Sequence, residues 1–166
     1  MKTFTHSSEQ WLPRPLEEVF PFFADARNLE QLTPGWLSFD VLTPDPIPMA
    51  VGTTIDYRLA WRGIPLRWRS EIAAWEPPHR FVDRQLRGPY RLWHHEHLFV
   101  EEEGGTKVID HVDYAVWGGA LALRFGVRRD IERIFAHRSQ RLIEIFGART
   151  RTGNLNQNLT TPDTTA

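Results

Sequence analysis

The chain contains no cysteine. That removes a disulfide framework, a thiolate metal site and a cysteine nucleophile in one step. Lysine is nearly absent as well: Lys2 and Lys107 are the only two, and arginine supplies the rest of the basic residues. No apolar run is long enough to span a bilayer. The opening Met1-Lys2-Thr3-Phe4-Thr5-His6 lacks the apolar stretch of a signal peptide. A cytoplasmic protein without integral membrane association is the expectation. There is no excess of either charge, the net being −1, so nothing draws the chain generally to nucleic acid or acidic membranes. Glycine-rich phosphate loops are missing too. Gly118-Gly119 has neither the spacing nor the preceding buried strand of a nucleotide loop.

What is abundant is aromatic. Seven Trp, ten Phe and three Tyr stand in 166 residues, and aromatic walls serve both cores and apolar ligand sites. The length fits one domain, expected over residues 1–150. The Thr-, Asn- and Pro-rich segment 151–166 has little to bury and is expected to be a disordered polar tail.

Thr3–Leu12 alternates loosely and reads as a first strand. Pro13 and Pro15 end it. Leu16, Val19, Phe20 and Phe23 then recur at helical spacing. Asp25 can cap a second short helix over Ala26–Leu32, which Thr33-Pro34-Gly35 stops. Trp36–Leu42 reads as a strand, followed by a proline-rich loop. Thr53–Trp61, Ile64–Trp75, Arg80–Arg87, Tyr90–Glu101 and Thr106–Val116 follow, with turn signals every 8–12 residues, as in an antiparallel meander. The last element is a long amphipathic helix, Ala120–Ala148, with Val127, Ile131, Ile134, Phe135, Leu142 and Ile145 on one stripe. A sheet with one apolar face must bury it, and this helix is the element long enough to do so. The fold class is therefore α+β: six or seven antiparallel strands curved around one C-terminal helix, with two short helices after the first strand.

The face of Trp93, His95, His97 and Phe99, opposite Asp110, Val112 and Tyr114, carries titratable groups among aromatics. Alternate side chains of a strand share a face, and this mixture suits a lined cavity better than a purely structural sheet. In the same phase fall Ile55, Tyr57 and Leu59; Trp68, Ser70 and Ile72; Phe81, Asp83 and Gln85. Ile131, Phe135, Arg138 and Leu142 can face them from the helix. A small hydrophobic or amphipathic molecule is the expected partner. Tyr57, Trp68, Phe81, Trp93, Phe99, Tyr114 and Phe135 would supply apolar contact, while Gln85, His95, His97, Asp110 and Arg138 would orient polar groups.

Three further uses of the same residues compete. His95, His97 and Asp110 are candidate catalytic acid/base groups, since a histidine poised by a carboxylate can take a proton from an activated carbon. Asp83, His95, His97, Asp110 and Arg138 can equally form a satisfied buried network that does no chemistry. His95 and His97 lie about 6–7 Å apart as i and i+2 of a strand, so they could chelate a metal with Asp110 as third ligand. His-x-His pairs are common on strands and no other ligand motif stands nearby, so the expectation is no metal and no cofactor. The arginines of the last helix read as a solvated face. A monomer or homodimer is expected.

This order of elements resembles the helix-grip fold of the SRPBCC superfamily, which includes START lipid-transfer domains, polyketide cyclases and pollen-allergen-like proteins. The resemblance rests on Pro13-Arg14-Pro15-Leu16-Glu17-Glu18-Val19-Phe20-Pro21-Phe22-Phe23, on Asn28-Leu29-Glu30 and Leu32-Thr33-Pro34, and on Trp93-x-His95-x-His97-x-Phe99. The last motif is similar to a bacterial cyclase/dehydrase-like, ligand-binding subgroup. Two functions follow from the resemblance: a binder of apolar molecules, or a cyclase/dehydratase acting on a polyketide-like or other keto substrate. A non-catalytic interaction module with a collapsed cavity is the remaining alternative.

Overall fold

The computed structural model describes residues 1–118 and 126–147. The chain runs β1 (Phe4–Leu12), α1 (Leu16–Ala24), a 3-10 turn (Ala26–Asn28), α2 (Leu29–Leu32) and a second 3-10 turn (Gly35–Leu37). It continues through β2 (Asp40–Val41), β3 (Thr54–Trp61), β4 (Ile64–Glu76), β5 (Arg80–Arg87), β6 (Tyr90–Glu102) and β7 (Gly105–Val116), and ends in α3 (Arg128–Phe146). The seven strands form one antiparallel sheet in the order β1-β7-β6-β5-β4-β3-β2. It is a meander whose first strand returns to the far edge, beside β7. The curved sheet and the C-terminal helix make the helix-grip arrangement expected from the sequence.

Local chemistry accounts for the corners. At the β3–β4 turn, Arg62 and Gly63 have φ of 52° and 81°, the left-handed pair that a two-residue hairpin needs. Glu103 and Gly104 take the positive φ angles of the β6–β7 turn, and β7 begins at Gly105, one residue ahead of the expected Thr106. Its glycine is still required, because a Cβ there would collide with the Leu12 carbonyl oxygen and the Trp11 ring.

Three element readings need correction. Trp36–Leu42 is not a full strand: Gly35–Leu37 is a 3-10 turn and only Asp40–Val41 pairs with β3. The left-handed Ser38 between them breaks the extended conformation that alternating apolar residues suggested. The helix read over Ala26–Leu32 opens as a 3-10 turn, with the Asp25 carboxylate accepting from the Arg27 amide at 2.9 Å. The long helix is α-helical from Arg128, since Gly126 carries a φ of 107°. The parts of that reading at 120–125 and 148, and the expected tail at 151–166, lie outside the described residues.

The interior divides along the strands. At one end Leu12, Leu16, Val19, Phe20, Phe81, Phe99, Val108, Leu142 and Phe146 pack into a continuous cluster. Phe99 is edge-on to Phe20 at 5.3 Å and to Phe23 at 5.1 Å. Elsewhere the contacts split into two smaller clusters, around Ile55 and Tyr57 on one side and around Val112, Ile131 and Phe135 on the other. From α3, Ile131, Phe135, Arg138, Leu142 and Phe146 are buried, spacings of three and four that keep one stripe on the sheet.

Candidate functional site

Between those smaller clusters lies a cavity of about 360 Å³. Its walls come from the inward faces of β3 to β6, from α3, and from the α1–β2 segment (Phe22, Phe23, Leu29, Leu32, Leu37 and Phe39). Trp68, Tyr90 and Trp93 form an aromatic corner, with Trp68 edge-on to Trp93 at 5.3 Å and Tyr90 4.8 Å from Trp93. The Trp68 Nε1–H donates to Ser70 Oγ at 2.9 Å, which satisfies its polar edge inside the apolar wall. Trp61 Nε1–H donates to Asp130 Oδ2 at 2.9 Å, tying β3 to the first turn of α3 beside the cavity.

One patch of wall is polar: Asp83, His95, His97 and Arg138. Register explains it. In the sheet Asp83 lies opposite His95 and Asp110 opposite His97, yet the bonds run diagonally. His95 Nε2 meets Asp110 Oδ1 at 2.8 Å and His97 Nε2 meets Asp83 Oδ2 at 3.1 Å. The second nitrogens complete a ring of contacts. His97 Nδ1 is 3.0 Å from Asp110 Oδ1 but outside hydrogen-bonding alignment, and His95 Nδ1 is 3.6 Å from Asp83 Oδ2. Each imidazole thus spans two carboxylates. The rings lie 3.8 Å apart between centroids, and Phe81 stacks on His97 at 4.1 Å. Arg138 Nη1 stands 3.7 Å from Asp110 Oδ1, and its buried Nε has no hydrogen-bond partner among the described residues.

The electrostatics follow from burial set against pairing. Burial would raise the Asp110 carboxyl, but hydrogen bonding and charge from both histidines outweigh it and hold the group well below the usual carboxylate range. Asp83 is lowered in the same way, with burial opposing and His97 and His95 prevailing. The histidines split. Burial and the neighbouring His97 push His95 down to about 4, despite Asp110 and Asp83. For His97, the two carboxylates overcome burial and raise it. His95 is thus held neutral while His97 is biased toward its charged form. With Arg138 beside Asp110, the cluster sets cationic groups against its two carboxylates, the pairing that buried charge requires.

The family described as "Polyketide cyclase / dehydrase and lipid transport" matches residues 12–137. The chain belongs to this family. With its sheet and helix it falls in the SRPBCC superfamily. Solved structures of other proteins share the fold of this polyketide cyclase/dehydrase-family protein. The Zhui aromatase/cyclase from Streptomyces sp. R1128 is 14% identical with a TM-score of 0.69, over 87% of this chain and 93% of that one. A protein from Chromobacterium violaceum is also 14% identical at a TM-score of 0.69, over 87% and 98%. The major latex-like protein 151 of Panax ginseng is 10% identical with a TM-score of 0.65, over 87% and 97%. No curated protein matches the chain.

Of the residues singled out from the sequence, Tyr57, Trp68, Phe81, Trp93, His95, His97 and Arg138 line the cavity. Five do not reach its wall. Gln85 is spent on the β5–β6 turn, where its amide donates to the Tyr90 carbonyl and accepts from the Tyr90 amide. Phe99 belongs to the packed end. Asp110 sits behind the histidines, Tyr114 packs beside Phe4 and Tyr90, and Phe135 covers the His6 ring at 4.4 Å. The family protein also uses wall residues that the sequence reading passed over, among them Phe39, Met49, Trp61, Trp117 and Asp130. For Trp61 the strand alternation that picked out Tyr57 and Leu59 was sufficient, extended by one more step. Phe39 and Met49 lie in irregular backbone that carries no period to read.

Proposed function

We propose that the protein binds a small hydrophobic or amphipathic molecule between its sheet and α3. The cavity itself carries the reading. Its volume of about 360 Å³ falls within the roughly 300–1,000 Å³ of small-molecule sites. Its wall has the composition of such sites, apolar over most of its extent, with many aromatic rings and a few convergent polar groups. A module acting only through its surface would fill this space with its own side chains. The apolar body of the ligand lies against Trp68, Trp93 and Tyr57, and its polar end meets Asp83, His95, His97 and Arg138. The family description, which includes lipid transport, supports the same class of ligand.

The test is a titration with fatty acids, sterols, aromatic polyketides and apolar dyes, read by tryptophan fluorescence and thermal melting. A true ligand quenches or shifts the Trp68/Trp93 emission and raises the Tm, because it binds only the native state. If none of these compounds does either, the binding reading fails.

A second reading has its own support: the neutral imidazole of His95 stands in the cavity wall next to His97, whose carboxylate partners favour its charged form. In a cyclase or dehydratase acting on a keto substrate, His95 would take the proton from carbon. His97 and Arg138 would then stabilise charge developing on oxygen. With a ligand in hand, His95→Gln should lower turnover about 100-fold or more while leaving binding largely intact. Equal turnover in the variant would exclude His95 as the base.

A further inference from the structure

The ring of contacts between His95, His97 and the two aspartates has a polarity that neither function above uses. Both imidazoles give one nitrogen to Asp110 and turn the other toward Asp83. On the inner side, His95 Nε2 and His97 Nδ1 lie 2.8 and 3.0 Å from the same oxygen, Asp110 Oδ1. On the cavity side, His95 Nδ1 and His97 Nε2 lie 3.6 and 3.1 Å from one oxygen of Asp83. Asp110 is the deeper carboxylate, its side chain 7% exposed against 21% for Asp83.

We infer that Asp83, His95 and His97 form a binding site for one divalent transition-metal ion, of the zinc or iron(II) type, at the polar wall of the cavity. Three ligand atoms, one from each side chain, all fall within 4.8 Å of one another. Donors about 2.1 Å from one ion and separated by the observed 3.1 and 3.6 Å subtend angles of about 95° and 118°. Both angles lie in the octahedral-to-tetrahedral range, and the two imidazole nitrogens, within 4.8 Å of one another, must stand less than about 4.2 Å apart to share the ion. Two imidazoles and one carboxylate suit zinc, iron or manganese better than magnesium or calcium, which take oxygen ligands.

The surroundings match what such a site requires. A ligating histidine is normally held by a carboxylate on its other nitrogen, which fixes its tautomer and orientation. Asp110 stands in that position to His95, bonded at 2.8 Å, and lies 3.0 Å from the second nitrogen of His97. Phe81 and Phe135 wall the imidazoles at 4.1 and 5.7 Å between ring centroids and keep bulk water from their faces. Three protein donors leave coordination positions free on the side where Asp83 borders the cavity, which is where an oxygen of a bound molecule would arrive. His6, whose buried Nε2 has no hydrogen-bond partner among the described residues, is not part of this set.

The inference is separate from the ligand-binding proposal and is tested without any organic ligand. Protein stripped with a chelator is titrated with Zn²⁺, with Mg²⁺ as control. Metal content is measured after desalting, and the Tm is followed in parallel. The expected result is one equivalent of zinc retained and a Tm that rises with zinc and not with magnesium. Asp83→Asn, His95→Gln and His97→Gln should each abolish retention. Asp110→Asn should weaken it about 10–100-fold, and Arg58→Gln, in the exposed pair with Asp40 on the outer face, should leave it near wild type. Failure of the wild type to retain zinc, or retention unchanged in the His95 and His97 variants, overturns the site. If a variant does not fold, histidine-ring NMR of the wild type decides. Zinc must shift the two buried rings, and movement confined to His79, His94, His111 and His137 refutes the inference.

Discussion

The same strands and the same helix build two unlike halves of one interior. In the packed half, β6 contributes Phe99, the helix contributes Leu142 and Phe146, and α1 inserts Phe20 between them. Two turns of helix away, β6 contributes Trp93, His95 and His97, the helix contributes Arg138 and Ile134, and a cavity remains. Branched and ring side chains of complementary size fill space at one end, as close packing demands. At the other end the side chains are larger, but their edges are committed to fixed partners: Trp68 to Ser70, Trp61 to Asp130 and the imidazoles to the aspartates. A ring tied by its polar edge cannot swing inward to close a void. Hydrogen bonding at the rim of each aromatic, and not a shortage of apolar volume, keeps the second half open.

The largest expected effect lies in the packed half. Phe99→Ala removes a ring that is 1% exposed and should cost about 3–5 kcal/mol in denaturant melts. Trp68→Ala, on the cavity wall, should cost clearly less stability and should weaken any cavity ligand more than tenfold. Equal stability losses for the two would erase the contrast.

Acid should divide the halves next, since the buried titratable cluster lies in the open one. His95 is depressed to about 4 in the folded state, from an ordinary value near 6.5. Its contribution to stability is therefore complete above pH 6.5 and is lost as pH falls toward 4. His6, also lowered by burial, has the same sign, and the depressed Asp83 and Asp110 add further loss at lower pH. His97, being raised, has the opposite sign, and its contribution is present below pH 6.5 and lost as pH rises above it. With chelator present, the Tm of the wild type should decline from about pH 6.5 downward, and His95→Phe should flatten the upper part of that decline. A wild-type Tm that holds level to pH 4 contradicts this.

Overfilling gives a smaller and more diagnostic pair. Val108→Phe in the packed half should cost about 1–3 kcal/mol. Ile55→Phe, aimed into the cavity, should leave stability close to wild type and abolish ligand binding. Smallest of all, Arg58→Ala removes an exposed pair with Asp40 on the outer face and should change stability by about 0.2–1 kcal/mol. It should leave both halves as they were.

The contrast also marks where the sequence could be read. Period-two alternation identified the inward face of β3 to β7, because Tyr57, Trp68, Phe81, His95 and Asp110 each sit in phase with a buried neighbour. Alternation gives a face and not a depth. Phe99 and Trp93 share a strand and a phase, yet one is core and the other cavity wall, since position along the strand is set by where α1 and α3 cross it. Gln85 was in phase as well, but a turn two residues later claimed its amide. The diagonal pairing that places Asp83 on the cavity side and Asp110 behind depends on rotamers fixed by the packed rings. Phe39 and Met49 became wall through irregular segments whose course no local pattern encodes.

The closed circuit of two imidazoles and two carboxylates has a consequence for how this chain can change over generations. Every member touches two others, so removing any one leaves a buried charge or donor without its counterpart, and single replacements are penalised well beyond their own contacts. Replacing the whole group by apolar side chains of similar volume carries no such penalty and can even stabilise a fold. Related chains should therefore keep the four residues together or lack them together, and intermediates with two or three should be scarce. Such an all-or-none pattern would separate lineages that use the polar wall from lineages in which it has become ordinary core.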